Sequence, residues 1–491
     1  MTSIKKDIAN GVFWIAIAKY SGIVIQLIIT AILSRLLSPA AFGTIAVAMV
    51  ILYFLNIFSD IGIGPAVVQY KQLKKNHLNS LFTLNIYIGF LLSVILVLSS
   101  STISSYYSDK ALERVSQLMA IVVFFNALNV VPNALMRKDK RFRVIALRTL
   151  FFQILSGSIA VWGAFHGWGI FALLVSPVST SIGVFFVNYW NYPLRFVIKL
   201  NKEALRIVSA FSFFQFAFAF FNCFSRNLDK LIVGKYFSLA QLGYYDKSYH
   251  LMLLPVQNVT FVIEPVLHPI LSSLQDNKHE LDAKNTKLAQ IISYISFPIG
   301  LILYFCGEEL IKIVYGNQWD AAIPVFKILA LSLPLQMIMS TSGAIYQAAG
   351  RTDHMFYNGL INTVITVIGF FIAAIWGGTI ESMALAFVLT MTLNFLLSYY
   401  ILENITLRMN VITFFSSLLP QFVNSTISFV FVTIMLRIIV VNNLVICALF
   451  KMFLIIILTL VMAAMLDQYK CVDIIRNVEK YLNFKLRKSH I

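Results

Sequence analysis

Lys19, Gly22, Gln26 and Thr30 recur at spacings of three, four and four, which places them on one face of a helix. A charged side chain at mid-bilayer costs roughly 2.5 to 3.5 kcal/mol on insertion scales unless it meets water or a partner, so such a face is a candidate binding wall. Ala219, Asn222, Arg226 and Lys230 repeat the spacing two hundred positions later, and Lys247 follows in the next apolar run. Together the stripes would offer a basic, hydrogen-bonding surface to an anionic passenger such as a lipid diphosphate, for which Arg and Lys are suitable partners. The competing structural reading has Lys19 and Arg226 paired with carboxylates or reaching to the membrane surface.

Carboxylates are scarcer in the apolar runs. Asp229 stands next to Lys230 and three residues after Arg226, which predicts a local ion pair. Asp60, Glu264 and His268 are the candidates for ion coupling, since Glu264-Pro265 and His268-Pro269 set two titratable groups on one face where prolines interrupt helical hydrogen bonding. A kinked helix end in water is the plainer reading of the same residues. Arg137, Lys138 and Arg141 in the loop after the fourth run could hold phosphate head groups, although ordinary topogenic charge also explains them. Enzyme signatures are missing: Gly234-Lys235-Tyr236 lacks the rest of a phosphate loop, there is no H-E-x-x-H or G-x-S-x-G, and Cys223, Cys306, Cys447 and Cys471 are scattered. A transporter without a resident cofactor or metal is expected, with coupling to an H⁺ or Na⁺ gradient open.

The elements that position these residues are membrane helices. The chain has 491 residues, 59% hydrophobic and 12% charged, against about a quarter charged in soluble domains. About 14 runs, from 10 to 34 through 443 to 466, are long enough to cross a hydrocarbon core. The net charge of +17 is spread over alternate connections rather than gathered in a nucleic-acid patch, so those connections and both termini are expected in the cytoplasm. Lys5 and Lys6 before the first run resemble a signal peptide, but the run ends in Ser34-Arg35 without a small-residue cleavage site and reads as a retained helix.

The chain is also doubled. Ser38, Ala40 and Gly43 return as Ser238, Ala240 and Gly243, and Pro65 returns as Pro265; further on, Arg137, Asp139, Trp162 and Gly163 match Arg351, Asp353, Trp376 and Gly377 at a spacing of 214. The expected architecture is therefore an all-α membrane protein of two six-helix lobes, 1–200 and 201–404, related by a parallel pseudo-two-fold repeat around a central cavity. Two extra helices (405–466) and a basic cytoplasmic tail (467–491) complete it, the tail carrying a candidate amphipathic helix. The polar stretch from Glu308 to Asp320 is the expected place of an insertion.

Ser225-Arg226-Asn227-Leu228-Asp229-Lys230-Leu231-Ile232-Val233-Gly234-Lys235, Leu254-Pro255-Val256-Gln257, Ser59-Asp60-Ile61-Gly62-Ile63-Gly64 and Tyr315-Gly316-Asn317-Gln318-Trp319 resemble the polysaccharide transporter family of the multidrug/oligosaccharidyl-lipid/polysaccharide exporter superfamily. The likeness runs to about residue 405. It implies a Wzx-type flippase of the bacterial inner membrane, moving undecaprenyl-diphosphate-linked oligosaccharide by alternating access for O-antigen, capsule or exopolysaccharide. Membrane lipids and a polysaccharide polymerase with its chain-length machinery would be its partners. The alternative within the superfamily is a cation-coupled multidrug antiporter, which would need an acidic cavity. Ala219 at the position matching Lys19, and Thr260 at the one matching Asp60, depart from a symmetric basic cavity.

Overall fold

The computed structural model describes residues 2–272, 277–439 and 443–466, apart from the side chains of 2–15, 18, 210, 214, 218, 225, 259–270 and 272. One compact unit holds α1 (Thr2–Leu36), α2 (Pro39–Asp60), α3 (Ile63–Gln69), α4 (Lys75–Tyr107), α5 (Lys110–Lys138), α6 (Phe142–Phe165), α7 (Phe171–Asn191), α8 (Lys202–Tyr236), the first turns of α9 (Leu239–Ser272) and the segment Val314–Trp319. The other holds the rest of α9, α10 (Lys278–Phe305), most of α11 (Gly307–Val314), α12 (Ala322–Ala330), α13 (Leu333–Met339), α14 (Ser342–Ala348), α15 (Thr352–Ile372), α16 (Ile380–Tyr400), α17 (Val411–Ile438) and α18 (Leu444–Leu466). No strand occurs among the described residues.

Eleven helices are long and apolar enough to cross a bilayer, or thirteen when two bent helix pairs each count as one span. The expected eighth span falls in α9, many of whose side chains are outside the described residues. The expected tenth span, near 322 to 346, is broken into α12, α13 and α14, with a 45° bend after Ala330. Pro334 at the start of α13 removes a backbone donor there, and the Ser332 and Thr341 hydroxyls donate to the Leu329 and Ile338 carbonyls around the breaks.

The repeat is visible in the helix ends. α1 stops at Leu36 and α8 at Tyr236; α2 starts at Pro39 and α9 at Leu239. Ser38 caps α2 by accepting from the Ala41 N–H with Pro39 in the first turn, whereas Ser238 and Gln241 cap α9 reciprocally, Ser238 N–H donating to Gln241 Oε1 at 3.0 Å and Gln241 N–H to Ser238 Oγ at 3.2 Å. The two junctions lie against each other. A Cβ on Gly43 would stand 1.8 Å from the Leu239 carbonyl oxygen, and one on Gly243 would stand 2.1 Å from that of Pro39, so the glycines are what lets the two backbones touch.

Around this contact the partners are also matched. Arg35 donates to the Val314 carbonyl (3.0 Å), and its counterpart Lys235 donates to the Tyr106 carbonyl (2.8 Å) while lying over the Tyr106 ring. Trp319, fully buried, donates from Nε1 to the Ser34 carbonyl at 2.9 Å and packs edge-on against Phe42 and Tyr244. The stretch expected as the place of an insertion is built into the fold: α11 buries Glu309, whose carboxylate takes a 2.5 Å ion pair from Lys451 of α18. Beside it the half-buried Glu308 is held below the usual carboxylate range by its hydrogen bond from Lys312.

α17 and α18, which have no counterpart in the repeat, are anchored by that ion pair and by an apolar cluster of Leu301 and Phe305 of α10 with Val432 and Ile455. The basic tail and its candidate amphipathic helix lie outside the described residues. Trp162 and its counterpart Trp376 both stand exposed at the ends of their helices, where an amphipathic ring suits the membrane interface.

Candidate functional site

The first unit contains a cavity of about 810 Å³ whose wall comes from α2, α3 and α5. α5 contributes Asn126, Asn129, Asn133 and Arg137, spaced three, four and four, on a single face. α2 contributes Asn56, Ser59 and Asp60, α3 contributes Gly64, Pro65 and Gln69, and Phe211 of α8 adds an aromatic edge. A smaller cavity of about 360 Å³ shares Asp60, Asn56 and Pro65 and continues along α8 past Gln215, Phe216, Ala219 and Cys223.

The elbow after α2 creates this arrangement. Ile61 and Gly62 both take left-handed backbone (φ 41° and 73°), and a Cβ on Gly62 would meet the Ser212 carbonyl oxygen at 2.6 Å, so only glycine fits there. The chain turns back into short α3, whose Gly64 N–H donates to Asp60 Oδ1 at 2.7 Å. Asp60 therefore serves an otherwise orphaned donor at a helix start while lining the cavity. The amides are tied in place: Asn126 donates to Asn56 Oδ1 within the wall (3.2 Å), Asn129 accepts from Asn188 (2.6 Å), and Asn133 accepts from Arg148 (2.8 Å).

Arg148 of α6 is 7% exposed, and its Nε and other terminal nitrogen have no hydrogen-bond partner. A second cation thus stands behind the wall that already bears Arg137. Such a lining suits a hydroxyl-rich, anionic head group: each amide offers donors and an acceptor to sugar hydroxyls, and Arg137 offers a planar fork to a phosphate.

The residues predicted as a basic wall are divided by the fold. Gln153 of α6 donates from Nε2 to the Gly22 carbonyl (2.8 Å) and to Gln26 Oε1 (3.3 Å), and Gln26 in turn reaches Thr30 at 3.4 Å. That part of the α1 stripe is a helix–helix seam, while Lys19 is half-buried one turn before it. On α8, Ala219 lines the smaller cavity and Asn222 and Arg226 are exposed.

Lys230 is a correction: it is buried in a 2.8 Å ion pair with Asp246, both side chains 8% exposed. Asp229 keeps the local structural role expected of it, accepting from the Lys230 backbone N–H (2.8 Å) and the Tyr245 hydroxyl (3.1 Å) within the field of the Lys230 charge. Lys247 belongs to the second unit. Asp60 lines both cavities, whereas the side chains of Glu264 and His268 lie outside the described residues.

The predicted head-group contacts separate as well. Arg137 lines the large cavity. Lys138 turns inward and donates to the Val67 and Tyr70 carbonyls at 2.9 and 2.7 Å, closing the C-terminal end of α3. Arg141 donates to Asn191 at 3.0 Å and lies over the Tyr192 ring, whose phenol is pushed up to about 12 by burial and by its hydrogen bond to Asp139. Lys138→Ala is accordingly expected to cost about 1 to 2 kcal/mol of stability through the unpaired carbonyls, read as a lower unfolding temperature of the detergent-purified protein with no change in binding to anionic vesicles. A pure head-group contact would give the reverse.

The asparagine ladder of α5 is present in the sequence at helical spacing but carries no formal charge, so it lacks the signal that marks a charged residue in an apolar run. Arg148 was legible too, as an arginine inside the fifth run.

The family model described as "Polysaccharide biosynthesis protein" matches residues 32–324, more than half of the chain. The chain is 24% identical over 424 residues to the teichuronic acid biosynthesis protein TuaB of Bacillus subtilis, covering 86% of this chain and 87% of that one. It is 24% identical over 408 residues to the lipopolysaccharide biosynthesis protein WzxC of Escherichia coli, covering 82% of each. Among solved structures, the lipid II flippase MurJ in an inward closed conformation superposes with a TM-score of 0.73 at 14% identity, covering 92% of this chain and 98% of that one, which identifies an all-α membrane transporter fold. By the matched model, spanning the duplicated junction, the elbow at Asp60 and the whole polar wall of α5, this multi-pass membrane protein belongs to the polysaccharide biosynthesis protein family.

Proposed function

We propose that this protein is a transporter, not an enzyme, that moves a polyprenyl-diphosphate-linked oligosaccharide across the bacterial inner membrane by alternating access, for assembly of a surface polysaccharide. The observation that carries the reading is the cavity wall of Asn126, Asn129, Asn133, Arg137 and Asp60 inside a membrane helix bundle. Three half-buried amides along one helix face inside a bilayer carry a desolvation cost, which a sugar head group with many hydroxyls offsets and an apolar passenger does not, and Arg137 at the end of that face is exposed to an anion. Support also comes from the family and from relatives named for lipopolysaccharide and teichuronic acid synthesis. In this reading Arg137 meets the diphosphate, the amides meet the sugars, and the polyprenyl chain stays in lipid. Lys19 and Arg226 add positive charge outside the cavity wall. Both termini face the cytoplasm, and Asp60 is the residue through which an H⁺ or Na⁺ gradient would act. A polymerase and its chain-length partner would consume the product on the far side. The cationic-drug reading fits less well, because Arg137 stands in the same cavity as Asp60.

The test is Arg137→Ala in a strain whose surface polymer depends on this chain. Polymer is expected to fall at least about tenfold, the scale of one lost charge-assisted contact, at unchanged protein level, with Arg137→Lys intermediate. Lys19→Ala with Arg226→Ala should give a smaller loss. Normal polymer in Arg137→Ala cells would remove the cavity from the transport path.

A further inference from the structure

The second unit contains a cluster that the proposed transport site does not use. Glu403 lies in the π-helical stretch Ile401–Leu407 that ends α16, and it is fully buried. Its Oε1 accepts from Asn285 Nδ2 of α10 at 2.7 Å. Its Oε2 is buried with no donor, and the side chain within hydrogen-bonding reach of Glu403 is another carboxyl, that of Asp282 one turn before Asn285. Asn285 is itself fully buried, and its Oδ1 also lacks a donor. The cluster therefore has acceptors in excess and is short of a hydrogen.

Two carboxyl groups in contact cannot both be ionised without strong mutual repulsion, and a buried acceptor without a donor is unfavourable. One proton relieves both, converting the carboxyl–carboxyl contact into an O–H···O bond.

The other groups around the π-helical stretch are accounted for. From α10, Lys278 Nζ donates to the Thr406 carbonyl at 3.3 Å; from α15, His354 Nδ1 bonds the Thr406 hydroxyl at 2.8 Å and Arg351 pairs with Asp353. From α14 and α16, the buried hydroxyls of Tyr346 and Tyr399 donate to the Ser398 and Ile338 carbonyls. None of these bonds supplies a donor to Glu403 Oε2.

We propose that Asp282 and Glu403 form a site for a single proton that ties α10 to the end of α16. With the proton bound, the two helices are joined by a hydrogen bond; with it lost, two like charges face each other and the seam loosens. The site lies in a different unit from the asparagine-lined cavity, so it is a proton-binding element separate from Asp60.

The test uses the full-length protein in lipid, followed by infrared difference spectroscopy as pH is raised from neutral to strongly alkaline, with N-methylglucamine as the cation. The wild type is expected to lose one protonated-carboxyl carbonyl band. Glu403→Gln should lack that band, and so should Asp282→Asn, whose amide can donate to an ionised Glu403; the second variant keeps the question answerable if the first fails to fold. Adding Na⁺ at constant ionic strength should leave the wild-type band in place. The proposal is overturned if the wild type has no such band, if the band persists unchanged in either variant, or if Na⁺ removes it at neutral pH, the last outcome assigning a metal cation instead.

Discussion

Gly43→Ala is expected to strip most of the folded protein from the membrane and with it the surface polymer. The added methyl carbon would stand 1.8 Å from the Leu239 carbonyl oxygen and 2.6 Å from its carbon, far inside any contact distance, and both neighbours are backbone at the start of α9 and cannot swing aside. Overpacking of this kind costs about 1 to 3 kcal/mol or more, and here it also separates Phe42 and Tyr244 from Trp319. Gly243→Ala, whose Cβ meets the Pro39 carbonyl at 2.1 Å, should behave alike. Gly359→Ala in α15 meets nothing within 4 Å and gains helix propensity of up to about 1 kcal/mol, so it serves as the control. The measurement is the monodisperse fraction of tagged protein extracted in mild detergent, alongside polymer yield. A Gly43→Ala protein as abundant and active as the control would mean that the junctions do not touch in the working molecule.

Lys230→Met should be nearly as damaging, for an electrostatic reason. It leaves Asp246 buried beside Asp229 without the ammonium that now lies 2.8 Å away, and breaking a buried pair from one side costs about 3 to 5 kcal/mol. Removing both charges, with Lys230→Met and Asp246→Leu together, should recover much of the loss, because a buried ion pair contributes little net stability against apolar groups of similar size. Thermal unfolding of the single and double variants forms a double-mutant cycle. Additive losses would show that the pair is not coupled, and that Lys230 acts elsewhere, for instance toward a passenger as its place in the stripe first suggested.

Lys230 illustrates how far spacing goes. Its register with Ala219, Asn222 and Arg226 was readable, and so was that of Gln26 with Gly22, but the neighbour of each face was not. In a soluble bundle the polar face of a helix meets water and the apolar face meets the core. In a membrane both lipid and helix partners are apolar, so the pattern marks polar faces without saying whether they meet a cavity, another helix or a buried counter-ion. Gln153, which closes the α1 seam, is 131 residues from Gly22, and Asp246 lies beyond a helix break from Lys230. No local rule pairs them.

By itself the sequence determined that this chain lives in lipid, that it is helical, and that it is duplicated, because long apolar runs and repeated junctions are local properties that every copy must carry. The repeated Ser-x-Ala-x-x-Gly marked two connections between apolar runs, and the structure narrows them to breaks at Leu36/Pro39 and Tyr236/Leu239. Tertiary structure alone decided which polar residues line a cavity. The elbow at Ile61 and Gly62 folds α3 back beside α5, and that one turn converts an uncharged ladder of asparagines, with Arg137 at its end, into the wall of a cavity. The same packing turns Lys230 and Lys138 inward by giving each a partner inside the protein.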